Sequence, residues 1–404
     1  MIPFSPPHID QRVIDEVTEA LKSGWITTGP RTKKLEKELA LYCGASSVLC
    51  LNSATAGLEI MLRWFGVGEG DEVIVPAYTY SATANVVEHC GAKVVFADIH
   101  EKDFNLSVEG LKKHITSRTK VIMPVDFAGL PADYNSINKL VNREEIKSLF
   151  NPENEIQQKL GRILVLSDAA HSVGASAGGQ KTGSLTDVSV FSFHAVKNLT
   201  TAEGGAIALN LPAPFNNEEI YSYLCIKTLH GQNKDALAKM QKGNWKYDII
   251  EPGYKCNMTD IMAAIGLVEL QRYETEILPR RKEICELYDE LLSSNSRIEL
   301  PVQKDSFRQS SYHLYPIRIK GISEEQRDEI IKLIFEKDVS VNVHFIPVPM
   351  MSYYREKGYK IEDYPVTYNN FSREISLPVF EDLSNDQVRT VCAALQEAIN
   401  RVIS

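Results

Sequence analysis

SSVLCLNSATAGLEIMLRWFGVGEGDEVIVPAYTYSATANVVEHCGAKVVFADI, residues 46–99, decides the fold. Three short apolar runs, SSVLCL (46–51), DEVIVP (71–76) and KVVFADI (93–99), alternate with the helix-like segments ATAGLEIMLRWFG and SATANVVEHCG. That alternation is the pattern of a mostly parallel sheet covered by helices. Further along, TKVIMPVDF (119–127), RILVLSD (162–168), DVSVFSFH (187–194) and GGAIALN (204–210) continue it. Seven strands therefore predict one large α/β domain. GVGEGDE (66–72) precedes a strand instead of following one, so it reads as a turn and not as a dinucleotide fingerprint.

Between Pro131 and Gly161 lies a polar, helix-prone stretch longer than the usual connection, read as a crossover helix plus a surface insertion. From Thr259 a long helical pattern replaces the strand-helix rhythm and bridges onward. YHLYPIRIKG, VSVNVHFIP, ISLPVF and the closing SNDQVRTVCAALQEAINRVI then read as a small α+β unit. The resulting division is an N-terminal arm (1–30), a large domain (31–258), and a bridging helix with a small C-terminal domain (259–404).

The 404 residues include 44 Lys and Arg against 53 Asp and Glu, a net charge of −9, with no dense basic run. Such a balance argues against a nucleic-acid footprint or a basic membrane-surface helix and points to small-molecule partners. Seven scattered cysteines without CxxC spacing indicate neither a disulfide framework nor zinc, and fit a reducing cytoplasm. No run of 18 apolar residues occurs, and the first residues lack a basic start followed by an apolar run, so neither a membrane span nor export is expected.

The chemistry concentrates in SDAAHSVGASAGGQKTGSLTDVSVFSFHAVKNLTTAEGG, residues 167–205. Asp168 ends an apolar strand, where α/β sheets present ligand-contacting groups. Lys197 follows the apolar run VSVFSFH; a lysine carried into an apolar pocket loses pKa and becomes a Schiff-base former. Pyridoxal phosphate needs such a lysine, a carboxylate to keep its ring nitrogen protonated, an anion site for its phosphate and an aromatic cover. Asn52 to Gly57 make a small polar turn at a helix start, whose free amides and dipole suit an anion, and Ser192 adds a hydroxyl. Tyr80, just past DEVIVP, can cover the ring. Taken singly, each feature also has a plainer role as a helix cap, a core ring or a loop cap. His171 is counted with the cofactor set, although a satisfied core histidine is the commoner case. No histidine pair has the spacing of a metal site.

With those residues in place, the whole chain resembles the DegT/DnrJ/EryC1/StrS family of pyridoxal-phosphate-dependent sugar aminotransferases, of the fold type I, aspartate aminotransferase-like architecture. The marks include SGWITTGP, NSATAGL, PAYTYSATAN, VDFAGLPAD, SDAAHSVGA, SFHAVKNLTTAEGG, GYKCNMTDIMAAIGLVEL, YHLYPI, VHFIP and ISLPVF. The resemblance implies that Lys197 carries the cofactor, Asp168 pairs with its ring nitrogen, Ala54, Thr55 and Ser192 hold its phosphate, and Tyr80 stacks. It further implies a homodimer in which the loop Gly253–Asn257 reaches the neighbour's phosphate. Here Lys255 and Asn257 stand where many members have Asn and Arg, a variant similar to the branch that aminates UDP-linked 4-keto sugars. Asp126, where a His is common, and the insertion near 140–158 also depart from the pattern, with a bearing on the sugar accepted. The activity so implied moves an amino group from glutamate to a nucleotide-linked keto sugar. An anionic nucleotide diphosphate on an acidic protein requires local cationic or amide donors, and His230, His313 and His344 are candidates for the sugar-nucleotide site. A sugar dehydratase on the same fold is the alternative, but such relatives commonly replace the lysine with histidine; a non-catalytic regulator would not need Asp168, Ser192 and Lys197 together.

Overall fold

The computed structural model describes residues 1–233 and 246–403. All seven apolar runs become strands of one sheet: β1 Ser47–Leu51, β2 Glu72–Pro76, β3 Lys93–Ala97, β4 Thr119–Ile122, β5 Leu164–Asp168, β6 Val188–Ser192 and β7 Gly205–Leu209. Their spatial order is β1-β7-β6-β5-β4-β2-β3, with β7 alone antiparallel to its neighbours. The mostly parallel α/β sheet of fold type I is thus borne out. Strands β1, β2, β4, β5, β6 and β7 are buried along their whole length, which is why they read as unbroken apolar runs.

Helix α1 is Gln11–Lys22, α2 is Pro30–Cys43, α3 is Ala54–Trp64 and α4 is Ser81–His89. Ser53 caps α3 by accepting from Ala56 N–H, and the apolar face Leu58, Met61 and Leu62 packs into the sheet core. Helix α2 starts at Gly29-Pro30 with no side chain of its own to cap it. Asp260, at the start of the helix Asp260–Arg272, performs that role from a distance, accepting from Gly29 N–H (2.8 Å), Thr32 N–H (2.9 Å) and Arg31 N–H (3.0 Å). The bridging pattern after Thr259 runs as Asp260–Arg272, a π-helical turn Tyr273–Ile277 and Leu278–Leu292. It leads to a second, antiparallel sheet of β8 Ile298–Glu299, β9 Tyr315–Ile319 and β10 Glu374–Leu377 in the order β8-β9-β10. The helices Glu324–Phe335 and Asn385–Val402 pack on it, each opened by a Ser-Gln capping box.

The stretch 131–161 forms three short helices, Tyr134–Val141, Glu144–Lys147 and Glu155–Leu160. Its anchors are the carbonyl of Phe65, which accepts from Asn154 and Gln157, and Lys120 at the start of β4, which donates to the carbonyl of Asn151 and pairs with Glu153. Those anchors lie toward the N-terminal ends of the parallel strands, the end opposite the ligand-contacting one. Among the described residues no group of His, Cys, Asp or Glu clusters as a metal site, and no helix is long and apolar enough to cross a membrane.

Candidate active site

At the C-terminal ends of β1, β2, β5 and β6 lies a cavity of about 430 Å³. Its floor is the end of β5, its sides are the turns after β1 and β2, and Lys197 enters from the turn after β6. Lys197, Asp168, Ala54, Thr55, Ser192, Tyr80 and His171 all line this one space, as do His313 and His344 from the C-terminal part of the chain. Residues separated by more than a hundred positions thereby converge on a volume suited to a small cofactor with part of a substrate.

The ends of the parallel strands explain the electrostatics. Asp168 is 6% exposed, and burial pushes its carboxyl above the usual range. Three groups counter that push: Thr83 Oγ1–H donates to Oδ2 at 2.8 Å, Ala170 N–H donates to Oδ1 at 3.3 Å, and the Lys197 charge lies nearby. Thr83 is itself paired with Thr79 Oγ1 at 2.7 Å, and because the carboxylate can only accept, the order is Thr79 to Thr83 to Asp168. Burial brings the Lys197 amine down from 10.5 to about 8, with Asp168 opposing. Its Nζ has no hydrogen-bond or ion-pair partner among the described residues. An amine near that value stays mostly charged at neutral pH yet keeps roughly a tenth to a fifth of its population neutral, the state in which it is a nucleophile and a base.

Opposite Lys197, the first turn of α3 has spare donors. Ser53 Oγ is occupied in capping Ala56 N–H at 3.1 Å, whereas the Ala54 and Thr55 amides have no acceptor within the helix. The turn is held in place by Gly205: a Cβ there would lie 2.4 Å from Ala54 N and 2.5 Å from Ser53 C, so only glycine lets β7 approach. Ser192, 8% exposed, points its hydroxyl into the same space. His171 Nδ1 is buried without a partner among the described residues, an orphaned polar atom beside the Lys197–Asp168 pair. A phosphate-bearing aromatic aldehyde fits this donor set: amides and a hydroxyl for the phosphate, a carboxylate for a ring nitrogen and an amine for the aldehyde.

Tyr80 stands at the head of α4, 63% exposed, its ring 5.8 Å from that of Phe345. Several lining residues went unmarked in the sequence. Phe4 and Ser5 reach the cavity because the N-terminal arm crosses the molecule, with Ile2 bridging to Val339 and Ser5 Oγ donating to the carbonyl of Val196. Thr79 and Thr83 belong to PAYTYSATAN, and only the fold shows that Thr83 meets Asp168 and Thr79 meets Thr83. Asn198, next to Lys197, donates to the carbonyl of Ser311 at 2.7 Å and pairs with His313 Nδ1 at 2.8 Å, tying the two parts of the chain together.

Several expectations change. His313 is buried and His344 half-buried, and both are neutral, His313 held well below its ordinary value and His344 down to about 3, so neither offers a cation to a diphosphate. His230 is exposed and outside the cavity, its backbone N–H bonded to the carbonyl of Tyr254. Asp126 is 0% exposed and fully engaged with Ser172, Tyr134 and Ala132 N–H, and neither it nor the 131–161 insertion lines the cavity of this chain, so neither touches a sugar there. Lys255 and Asn257 are likewise outside it; they bond to each other on the strand-edge loop whose Asn257 bridges to Leu51.

Comparison with known proteins fits this geometry. The profile of the DegT/DnrJ/EryC1/StrS aminotransferase family matches residues 7–151 and 153–396. The solved structure of "Putative sugar aminotransferase Spr1654" from Streptococcus pneumoniae in its PMP form superposes with a TM-score of 0.96 at 45% identity, covering all of both chains. Its PLP form gives 0.94 at 43%, again over both full chains. In sequence, the spore coat polysaccharide biosynthesis protein SpsC of Bacillus subtilis is 36% identical over 98% of this chain and 97% of its own. The chain belongs to the DegT/DnrJ/EryC1/StrS aminotransferase family and is a pyridoxal-phosphate-dependent aminotransferase of fold type I.

Proposed function

We propose that the protein transfers an amino group from glutamate to a nucleotide-linked keto sugar, with a UDP-4-keto sugar the first acceptor to try, in the making of a cell-surface polysaccharide in the cytoplasm. The observation that carries this reading is the pairing of an uncommitted Lys197 amine with a buried Asp168 carboxylate across one cavity. A dehydratase has no use for that amine as a carrier. The names of Spr1654 and SpsC support a sugar as acceptor and a polysaccharide as the destination.

Bound in the cavity, pyridoxal phosphate supplies an aldehyde that accepts an amine and a protonated ring that withdraws electrons. The chain's own residues do the rest. Asp168, favoured in its charged form by Thr83, Ala170 N–H and Lys197, would hold the proton of the ring nitrogen. Lys197 Nζ takes the proton from the carbon that bears the donor's amino group and returns it on the acceptor side, a task suited to an amine near neutrality. Ala54 and Thr55 amides and the Ser192 hydroxyl orient the phosphate, Tyr80 and His171 bound the ring, and His313 and His344 face the substrate.

We also read the protein as a homodimer with an arm (1–30), a large domain (31–258) and a small domain (259–404). Lys255, exposed on its loop, and Asn257 then complete the partner's phosphate site, with His230 beside them. The test is to load the protein with pyridoxamine phosphate and offer UDP-, dTDP- and GDP-linked 4-keto sugars, recording return of the pyridoxal absorbance. Return with a UDP-sugar supports the reading; no return with any sugar, alongside return with simple keto acids, refutes it.

A further inference from the structure

Across the cavity from Lys197, the His344 ring is held on three sides. Its Nδ1 lies 2.9 Å from Ser376 Oγ, its backbone N–H donates to Glu374 Oε2 at 3.0 Å, and Phe4 stacks on it at 5.3 Å between centroids. Ser376 Oγ in turn lies 2.5 Å from Glu374 Oε1. Glu374 and Ser376 are two apart on β10, so they share one face of the strand, and both are 0% exposed. Asn342 fixes the backbone of the His344 segment against that strand by two bonds with Ser376, at 2.8 and 3.1 Å. The other ring nitrogen, Nε2, has no protein partner among the described residues, and the residue lines the cavity.

We propose that Glu374 and Ser376 are positioning residues that act through His344, setting which ring nitrogen carries hydrogen and so whether the atom facing the cavity accepts or donates a hydrogen bond. The serine hydroxyl has one hydrogen and two partners, which leaves two arrangements. With Glu374 ionised, Ser376 donates to it and accepts from Nδ1–H, so Nε2 offers a bare lone pair. That form fits a hydroxyl or an ammonium. With Glu374 protonated, Oε2 already accepts from the backbone, so the proton sits on Oε1 and is donated to Ser376, whose hydrogen turns to Nδ1. Nε2 then carries hydrogen and fits a carboxylate, phosphate or ketone oxygen. The ring stays neutral throughout; only its hydrogen changes place.

The groups facing Glu374 set the balance. Arg318 from β9 and Arg327 from the helix Glu324–Phe335 favour the carboxylate, the buried Tyr78 hydroxyl lies near it, and burial opposes ionisation, leaving the carboxyl at about 8. Lys197 is the charge on the cavity side of His344. Both arrangements are therefore within reach of ordinary working pH. A carboxylate-bearing amino donor and a hydroxyl-bearing sugar need opposite forms of Nε2, which is where this inference rests on the proposed function.

The test uses the full-length, cofactor-loaded protein labelled with ¹⁵N-histidine, the His344 signals being those lost in His344→Asn. From pH 6 to 9.5 the wild type is expected to pass from the Nε2–H to the Nδ1–H tautomer. Glu374→Gln, whose amide can only donate toward Ser376, should stay Nε2–H at every pH, and Ser376→Ala should lose the pH-dependent exchange. An unchanging tautomer in the wild type overturns the proposal, as does exchange that survives in Ser376→Ala. The wild-type titration alone decides the matter if a variant does not fold. The tautomer readout involves no sugar, so a failed acceptor panel leaves it standing.

Discussion

Thr83→Val isolates the hydroxyl that keeps Asp168 charged. The side chains are nearly isosteric, so the variant removes one donor, at 2.8 Å from Oδ2, and little volume. A hydrogen bond to a charged group contributes about 1.5–3 kcal/mol, and about 1.4 kcal/mol corresponds to one pK unit. Losing that bond should therefore push the Asp168 carboxyl further above its already raised value. The sign is fixed: a carboxylate that loses a donor becomes protonated at higher pH, so the acid limb of the glutamate half-reaction moves up. At the foot of that limb the single-turnover rate should fall roughly 10- to 100-fold, and at alkaline pH it should approach wild type. Thr83→Ser should restore the limb. Thr79→Val, one bond further out at 2.7 Å from Thr83, should move it much less. A Thr83→Val protein with an unshifted acid limb would refute the role given to this relay.

Other outcomes follow from single contacts. Gly205→Ala forces a Cβ against Ala54 N and Ser53 C; overpacking of this kind costs about 1–3 kcal/mol, and cofactor affinity measured by dialysis should fall roughly 5- to 150-fold. Asp260→Ala leaves the amides at the start of α2 without their acceptor, and chemical denaturation should show a loss of about 2 kcal/mol, with cofactor absorbance retained in the folded fraction. Asp126, raised by burial from 3.8 to about 6, contributes stability that is lost as pH rises from the unfolded value through the folded one. Asp126→Asn should flatten that fall between about pH 4 and 6, measured by thermal unfolding across the range. For the shared site, a Lys197→Ala chain mixed with a Lys255→Ala/Asn257→Ala chain should recover about a quarter of wild-type sites after random exchange; no gain in mass-verified mixed dimers refutes it.

Much of this was visible in the sequence because strand cores and strand ends have simple signatures. The seven apolar runs mark the seven strands of the main sheet, and Asp168 and Lys197 are conspicuous as charged residues following such runs. Direction is a different matter: β7 is buried on both faces, so GGAIALN reads the same whether it runs parallel or antiparallel. Long-range partners are equally silent. Nothing in TGPRT shows that its cap is Asp260, and nothing in IPFSPP shows that Phe4 travels to His344. The charge of the histidines is silent for a related reason, since it depends on burial that only the packed chain creates. Asp126 misleads: a departure from a motif draws attention to the ligand, whereas its carboxylate is consumed by Ser172, Tyr134 and Ala132 N–H behind the site.

Reduction of the purified, cofactor-loaded protein with borohydride, followed by peptide mapping, tests the central assignment most directly. The cofactor's mass should appear on the peptide containing Lys197 and on no other, and Lys197→Ala should take up cofactor without becoming labelled or turning over. Labelling at a different lysine, or turnover by Lys197→Ala, would contradict the account.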